Sequence, residues 1–350
     1  MGRLKVFVFD HLAAGGRSTR PPPQTLRRQS EMLQQALLAD LGALPGVEIV
    51  REAGWNAASG SAADVDSPGT GKAARRPWAG TDPAPLPELR RFGRQFAAGV
   101  QAADAVWPLV HQSSSMLERL SRGVLRGKRI LLGSAPGAVG VAGSKLKLAQ
   151  VLADGGVAAV ATYSPHAPLP QDGGPWVVKP DDGAGCLDTW LFKDRAAALA
   201  WIRANASDGY VMQPFVAGKL GSLSLICCDG VARVLACNQE RVAMRDNRFH
   251  FLGSVVNGLS DEDGALARLA QQVAAAIPSL WGYVGVDFVL TAQGAVVLDV
   301  NPRLTAAYAG LHASIGYNPA GLVLDLLQGP AGMRTPGGMR RAVHVDLGLA

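Results

Sequence analysis

The segment VGVDFVLTAQGAVVLDVNPR, residues 284–303, limits the fold of this chain more than any other stretch. Two Val-rich apolar runs flank a turn at 291–294, the pattern of a β-hairpin. Asp287 and Asp299 each lie six residues from Gln293, so a symmetric hairpin sets them opposite each other. Asn301, two residues beyond Asp299, falls on the same face. Like charges opposed among Val, Phe and Leu repel in partly dry surroundings, and a hard cation between them would hold the pair. Two carboxylates and an amide oxygen suit Mg2+ or Mn2+ rather than zinc. The plainer alternative is a half-exposed hairpin with two solvent-facing aspartates, and a one-residue bulge would break the facing arrangement.

The rest of the chain frames this hairpin. A length of 350 residues suggests about two or three modules. Residues 4–9 read as a buried strand, and 26–41 as a helix with Leu33, Leu37 and Leu41 at helical spacing. Residues 47–50 form a second strand, a β-α-β start typical of a parallel sheet. Residues 51–87 turn to Gly, Ala, Ser, Pro and Asp without periodicity and read as an insertion. Alternation resumes with the strand ADAVWPLV, a helix at 115–120 and a strand at 128–132. A helix at 144–153 then stops at Gly155 and Gly156. Strands follow at 176–179 and 189–192, a helix from Asp194, and a strand at 210–215. Residues 221–256 read as three mostly antiparallel strands, with helices at 261–277 and near 318–327 around the hairpin. The expected class is α/β plus α+β. An open α/β domain spans 1–135, a small lobe 136–208 and a second lobe 209–330; the tail, 331–350, holds a terminal strand, RAVHVDLGL.

Composition narrows the function. No apolar run approaches the roughly 20 residues of a spanning helix, and Asp10 interrupts the opening MGRLKVFVFD too soon for a signal peptide. A cytoplasmic protein is expected. Cys186, Cys227, Cys228 and Cys237 form no CxxC pair and read as free thiols. The net charge of +6 comes with scattered arginines on solvated faces and no aromatic-interleaved basic motif. Nucleic acid is therefore not an expected partner.

A metal held by carboxylates commonly carries phosphate, and several residues suit one. Lys179 ends the apolar strand PWVVKP, where an unpaired ammonium is costly without an anion. Gly183, Ala184 and Gly185 follow in DDGAGC, where backbone N–H groups can approach a phosphate. It is not a P-loop, since no Lys-Ser/Thr follows in a helix. Lys145 opens a helix whose N-terminus favours anions. The strand YVMQPFV, with Gln213, Pro214, Phe215 and Val216 as a hinge, offers apolar walls and backbone edges suited to adenine; an ordinary buried strand has the same letters.

Taken in order, the Lys145 helix, VVKP with DDGAG, QPFV, GVDFVL and LDVNPR resemble the ATP-grasp superfamily over roughly residues 144–327. The resemblance implies two α+β lobes clamping ATP, behind an N-terminal pre-ATP-grasp domain. It places Lys145 and Lys179 on the phosphates, Gly183 to Gly185 in a flap, and Gln213 to Val216 along adenine. Asp287, Asp299 and Asn301 would bind Mg2+ (or Mn2+), and Arg303 would face the transferred phosphoryl and acyl groups. NPRLTAAYAGL and VFDHLAAGG look like the branch that includes tyramine–glutamate ligase of methanofuran-type cofactor biosynthesis, and ACNQERV is similar to its Asn-x-Gln strand. The chain departs from that branch at His111 and Gln112, where an acidic residue is usual, and at Thr305-Ala306-Ala307.

The implied activity is ATP-dependent carboxylate–amine ligation through an acyl phosphate, releasing ADP and phosphate. Arg241 could be a second arginine near the acyl phosphate or half of a structural salt bridge. His111, His166, His250 and His312 lack a partner motif and read as structural or exposed. The expected partners are a small-molecule carboxylate and amine, with a homodimer left open and no membrane. A dipeptide or peptide-tail ligase, or a non-catalytic ATP-binding regulator, remain as alternatives.

Overall fold

A computed structural model of the chain describes residues 2–14, 23–50, 87–111, 113–171, 173–205, 209–334, 337 and 340–348, with the side chains of 87–92 left aside. The expected insertion, apart from Pro87, and Gln112 lie outside the described residues.

Four strands build a parallel N-terminal sheet: β1 (Leu4–Asp10), β2 (Val47–Val50), β3 (Ala105–Leu109) and β4 (Ile130–Leu131), in the order β2-β1-β3-β4. Helix α1 (Gln24–Gly42) buries Leu26, Leu33, Leu37 and Leu41, the stripe its spacing predicts. Helix α2 (Pro87–Ala102) is absent from the sequence expectation, because its start adjoins a stretch without periodicity. Its Gly99 sits so close to β1 that a Cβ would meet the Phe7 ring at 2.1 Å. Helix α3 (Ser114–Arg126) is capped by Ser113, whose hydroxyl accepts the Met116 N–H at 3.2 Å.

After helix α4 (Pro136–Ala142), also unexpected, and α5 (Lys145–Asp154) comes a small antiparallel sheet. Its strands are β5 (Trp176–Pro180), β6 (Trp190–Phe192) and β7 (Tyr210–Pro214), with helix α6 (Arg195–Ala204) between β6 and β7. β7 pairs with β5, so it joins the small lobe although the expected boundary puts it beyond.

The long antiparallel strands follow: β8 (Lys219–Cys228), β9 (Val231–Arg245), β10 (Arg248–Val256), β11 (Gly282–Thr291) and β12 (Gly294–Asn301). Their order is β12-β11-β8-β9-β10, joined to β6 through one register pair, Arg248 with Trp190. Helix α7 (Ala265–Ala276) covers one face; α8 (Tyr308–Ile315) and α9 (Pro319–Asp325) lie toward α1. The tail strand β13 (Val343–Asp346) pairs with β10.

Strand alternation divides the apolar residues between two cores. Cys227 joins the one under α7, while Cys228 joins the one shared by the N-terminal sheet and the second lobe. In the shared core Leu33, Leu37 and Trp107 meet Tyr283, Tyr308 and Leu311. Each such side chain contributes roughly 1.5–3 kcal/mol when fully buried, so the N-terminal layer is welded to the lobe that carries the hairpin. Among the described residues no helix is long and apolar enough to cross a membrane.

Candidate active site

The hairpin closes on a two-residue turn, with Thr291 opposite Gly294. Continued without a break, that register would set Leu298 opposite Asp287. Leu298 is instead a bulge: Phe288 faces Val297, and Asp287 faces Asp299. The same extra residue brings Leu298 onto the cavity wall beside Asp299.

Asn301 donates from Nδ2 to Asp287 Oδ2 at 2.9 Å, and its Oδ1 accepts from Arg303 Nη2 at 2.8 Å. Asp299 Oδ2 lies 3.4 Å from Lys145 Nζ. Burial, together with the negative charge of Glu240 and Asp299, pushes the Asp287 carboxyl up to about 7. Burial also lowers the Arg303 guanidinium, against the pull of Asp299 and Asp287.

Helix α5 begins at Lys145 after the Ser144 cap, which accepts the Lys147 N–H at 3.3 Å. Lys145 is buried and donates to the carbonyls of Asp181 (3.2 Å) and Gly183 (3.0 Å). Asp181 Oδ1 returns the contact by accepting the Leu146 N–H at 3.0 Å. Lys179 is half-buried at the end of β5. Burial, and then the charge of Lys145, lower its ammonium to about 8.

A cavity of about 310 Å³ brings these groups together. Lys145, Lys179, Gly183, Ala184, Gly185, Gln213, Pro214, Phe215, Val216, Asp287, Asp299, Asn301 and Arg303 all line it. The Gln213 amide donates to Thr162 Oγ1 at 2.8 Å and the Phe215 N–H to the Pro175 carbonyl at 2.9 Å, so both donors are already engaged within the protein. Arg241 is not brought to the cavity. It points to the other face of β9 and pairs with Asp346 on β13, across Gly253.

Sequence reasoning missed Gln29, Cys186, Glu240, Ser254 and Thr305, which also line the cavity. Glu240 alone carried a readable signal: it shares a strand face with Asn238 of the Asn-x-Gln pattern. Gln29 reaches the cavity from α1 through tertiary packing that no local pattern discloses.

The donor set fits a hard divalent cation. Asp287 and Asp299 face each other, and Asn301 Oδ1 keeps a lone pair beyond its bond from Arg303. Mg2+ is commonly held by one or two carboxylates, with substrate phosphates and water completing the shell. Consistent with so sparse a set, no three His, Cys, Asp or Glu side chains among the described residues are placed to share an ion.

The family model of the ATP-grasp domain matches residues 142–307, a span that holds every one of these cavity residues except Gln29. No curated protein sequence matches the chain. Among solved structures, a protein assigned to the ATP-grasp superfamily from Archaeoglobus fulgidus superposes with a TM-score of 0.64 at 18% identity, covering 92% of this chain and 88% of that one. An L-amino acid ligase from Bacillus licheniformis gives 0.62 at 16% identity, over 95% and 77%. D-Alanine–D-alanine ligase from Bacillus anthracis complexed with ATP gives 0.57 at 14% identity, over 86% of each. Residues 142–307 therefore match the ATP-grasp domain, and the chain shares the fold of these solved structures.

Proposed function

We propose that the chain is an ATP-dependent carboxylate–amine ligase that forms an amide through an acyl phosphate and releases ADP and phosphate. One observation carries this reading: two facing carboxylates, two lysines, an arginine and a glycine loop converge on one cavity inside an ATP-grasp domain. A substrate carboxylate attacks the γ-phosphate of ATP, and an amine then displaces phosphate from the acyl group. Such chemistry needs positioning and charge balance more than a nucleophilic side chain.

Lys145 and Lys179 neutralise phosphate charge, and backbone N–H groups of Gly183 to Gly185 cover it. Asp287, Asp299 and Asn301 would hold Mg2+, which would offset phosphate charge there. Arg303, held by the Asn301 amide, faces the acyl phosphate. Backbone edges of Gln213 to Val216, with Phe215 and Leu298 as apolar walls, receive adenine.

Two finer readings of the product have separate supports. The resemblance of NPRLTAAYAGL and VFDHLAAGG favours tyramine–glutamate ligation in methanofuran-type cofactor synthesis. The likeness in fold to amino acid ligases favours a dipeptide. Incubation with Mg2+-ATP, single carboxylates and hydroxylamine tests the common step. ADP release with a matching hydroxamate is expected for the true acid. ATP bound tightly with no hydroxamate from any carboxylate would turn the assignment to a non-catalytic ATP-binding regulator.

A further inference from the structure

Glu240 is a carboxylate that the ligation described above leaves unused. It lines the cavity from β9, with β8 separating it from Asp287 on β11. Asp287 stands opposite Ser222 of β8, and the Ser222 hydroxyl donates to Glu240 Oε1. The Ser254 hydroxyl donates to Oε2 at 2.6 Å. Each carboxylate oxygen is thus steadied by one neutral donor. Among the described residues no Lys, Arg or His lies within ion-pair distance of Glu240.

A largely buried carboxylate without a cation is expensive, more so with Asp287 and Asp299 in the same cleft. The ion held by those two does not answer for it, because Glu240 is not placed to share a metal with them. A cationic ligand would supply the partner it lacks. Neighbouring strands lie about 4.8 Å apart, so β9 runs roughly 10 Å from β11. That separation places Glu240 one small molecule away from the phosphoryl end of the cavity.

We propose that Glu240 is the docking group for the attacking nucleophile, and that this nucleophile is an amine which enters as its ammonium ion. The inference rests on the ligase reading. Glu240 holds the ammonium beside the acyl phosphate and takes one proton from it. The freed lone pair forms the C–N bond as the acyl C–O bond breaks, and the electron pair leaves on phosphate. For a primary amine a second proton departs with the phosphate, one N–H remains in the amide, and Glu240 returns its proton to solvent. Burial raises the Glu240 carboxyl against the two serine hydrogen bonds, which suits proton uptake.

The test compares two nucleophiles on the full chain, E240Q and E240D, with Mg2+-ATP and each of the twenty standard L-amino acids as carboxylate. Hydroxylamine is uncharged near pH 7.5 and needs no docking anion; tyramine and L-alanine carry ammonium groups. E240Q should form hydroxamate within about threefold of wild type at an unchanged KM for ATP. Its kcat/KM for the ammonium nucleophile should fall by roughly 30-fold or more, as expected when a desolvated charge pair is broken, and E240D should recover part of that loss. Equal losses with both nucleophiles, a raised KM for ATP, or undiminished amide formation would each overturn the assignment. If the wild type yields neither hydroxamate nor amide with any acid, the ligase reading itself falls and takes this inference with it.

Discussion

Asp182, in the glycine loop of the small lobe, caps a helix of the N-terminal layer by accepting the Ser114 backbone N–H at 2.9 Å. Its other oxygen accepts the Ser115 N–H at 3.3 Å. The neighbouring Asp181 caps α5, and Lys145 grips two carbonyls of the same loop. The loop is therefore tethered to two helices at once. D182A strips a cap from α3, which costs about 1 kcal/mol, and frees one side of the loop. Thermal unfolding should shift down by a few degrees, and KM for ATP should rise several-fold. An unchanged KM would show that the tether plays no part in covering phosphate.

Lys179 answers to pH as well as to substitution. With its ammonium lowered to about 8, the free protein begins to lose this charge just above neutrality. ATP binding restores the proton, so ATP affinity in the wild type should weaken between pH 7 and pH 9. K179Q removes a charge-assisted contact of about 1.5–3 kcal/mol, or roughly a tenfold to hundredfold rise in Kd. Calorimetric titration at several pH values checks both parts; a K179Q protein that keeps the wild-type slope would contradict the lysine's role.

Asp287 answers to pH through stability, in the absence of metal. Its carboxyl is raised from the ordinary value near 4 to about 7, so between these limits the native state binds the extra proton. Stability should fall as pH rises through that window and level off above it. D287N should flatten this decline in a melting-temperature profile. The same change should abolish Mg2+-dependent turnover while the fold persists. Wild-type and D287N profiles that run parallel would remove Asp287 as the source of the slope.

The hairpin shows how far the sequence was legible. Period-two apolar runs made both strands readable, and their shared face was readable with them. Counting from Gln293 puts Asp287 opposite Asp299, yet the observed turn is centred between Ala292 and Gln293. Only the Leu298 bulge restores the facing pair, and nothing in VVLDVN announces a bulge. Local patterns likewise exposed α1, where four leucines repeat at helical spacing. They failed for α8, a short helix whose outer face carries Ala309 and Ala313 beside His312, so that little polar contrast marks its period. They failed for Arg241 as well. An Arg one residue from a cavity-lining Glu240 necessarily points to the opposite face of the strand, and the β13 partner that pairs with it there is over a hundred residues away in sequence.

The contact between Asp40 on α1 and Tyr308 on α8 ties the N-terminal layer to the lobe that carries the β11–β12 hairpin. Tyr308 donates its hydroxyl to Asp40 Oδ2 at 2.9 Å, and His312 Nδ1 lies 2.6 Å from Oδ1. Both Asp40 and Tyr308 are buried, so removing either leaves a polar atom without a partner. Y308F should cost about 1.5–3 kcal/mol, the range for a hydrogen bond to a charged group. D40A should cost at least as much, because it also strands the tyrosine hydroxyl. The double variant should fall short of the sum by about 1–2 kcal/mol, as expected for side chains in contact. Tyr308 meets Tyr283 edge-on at 5.4 Å, and the Tyr283 hydroxyl lies 2.9 Å from Thr305 Oγ1 on the cavity wall. Because Y308F keeps the ring that holds Tyr283 in place, ATP affinity should change less than about twofold while the urea midpoint drops. Strictly additive losses in the urea series would mean that the two residues stabilise their own layers separately and do not join them.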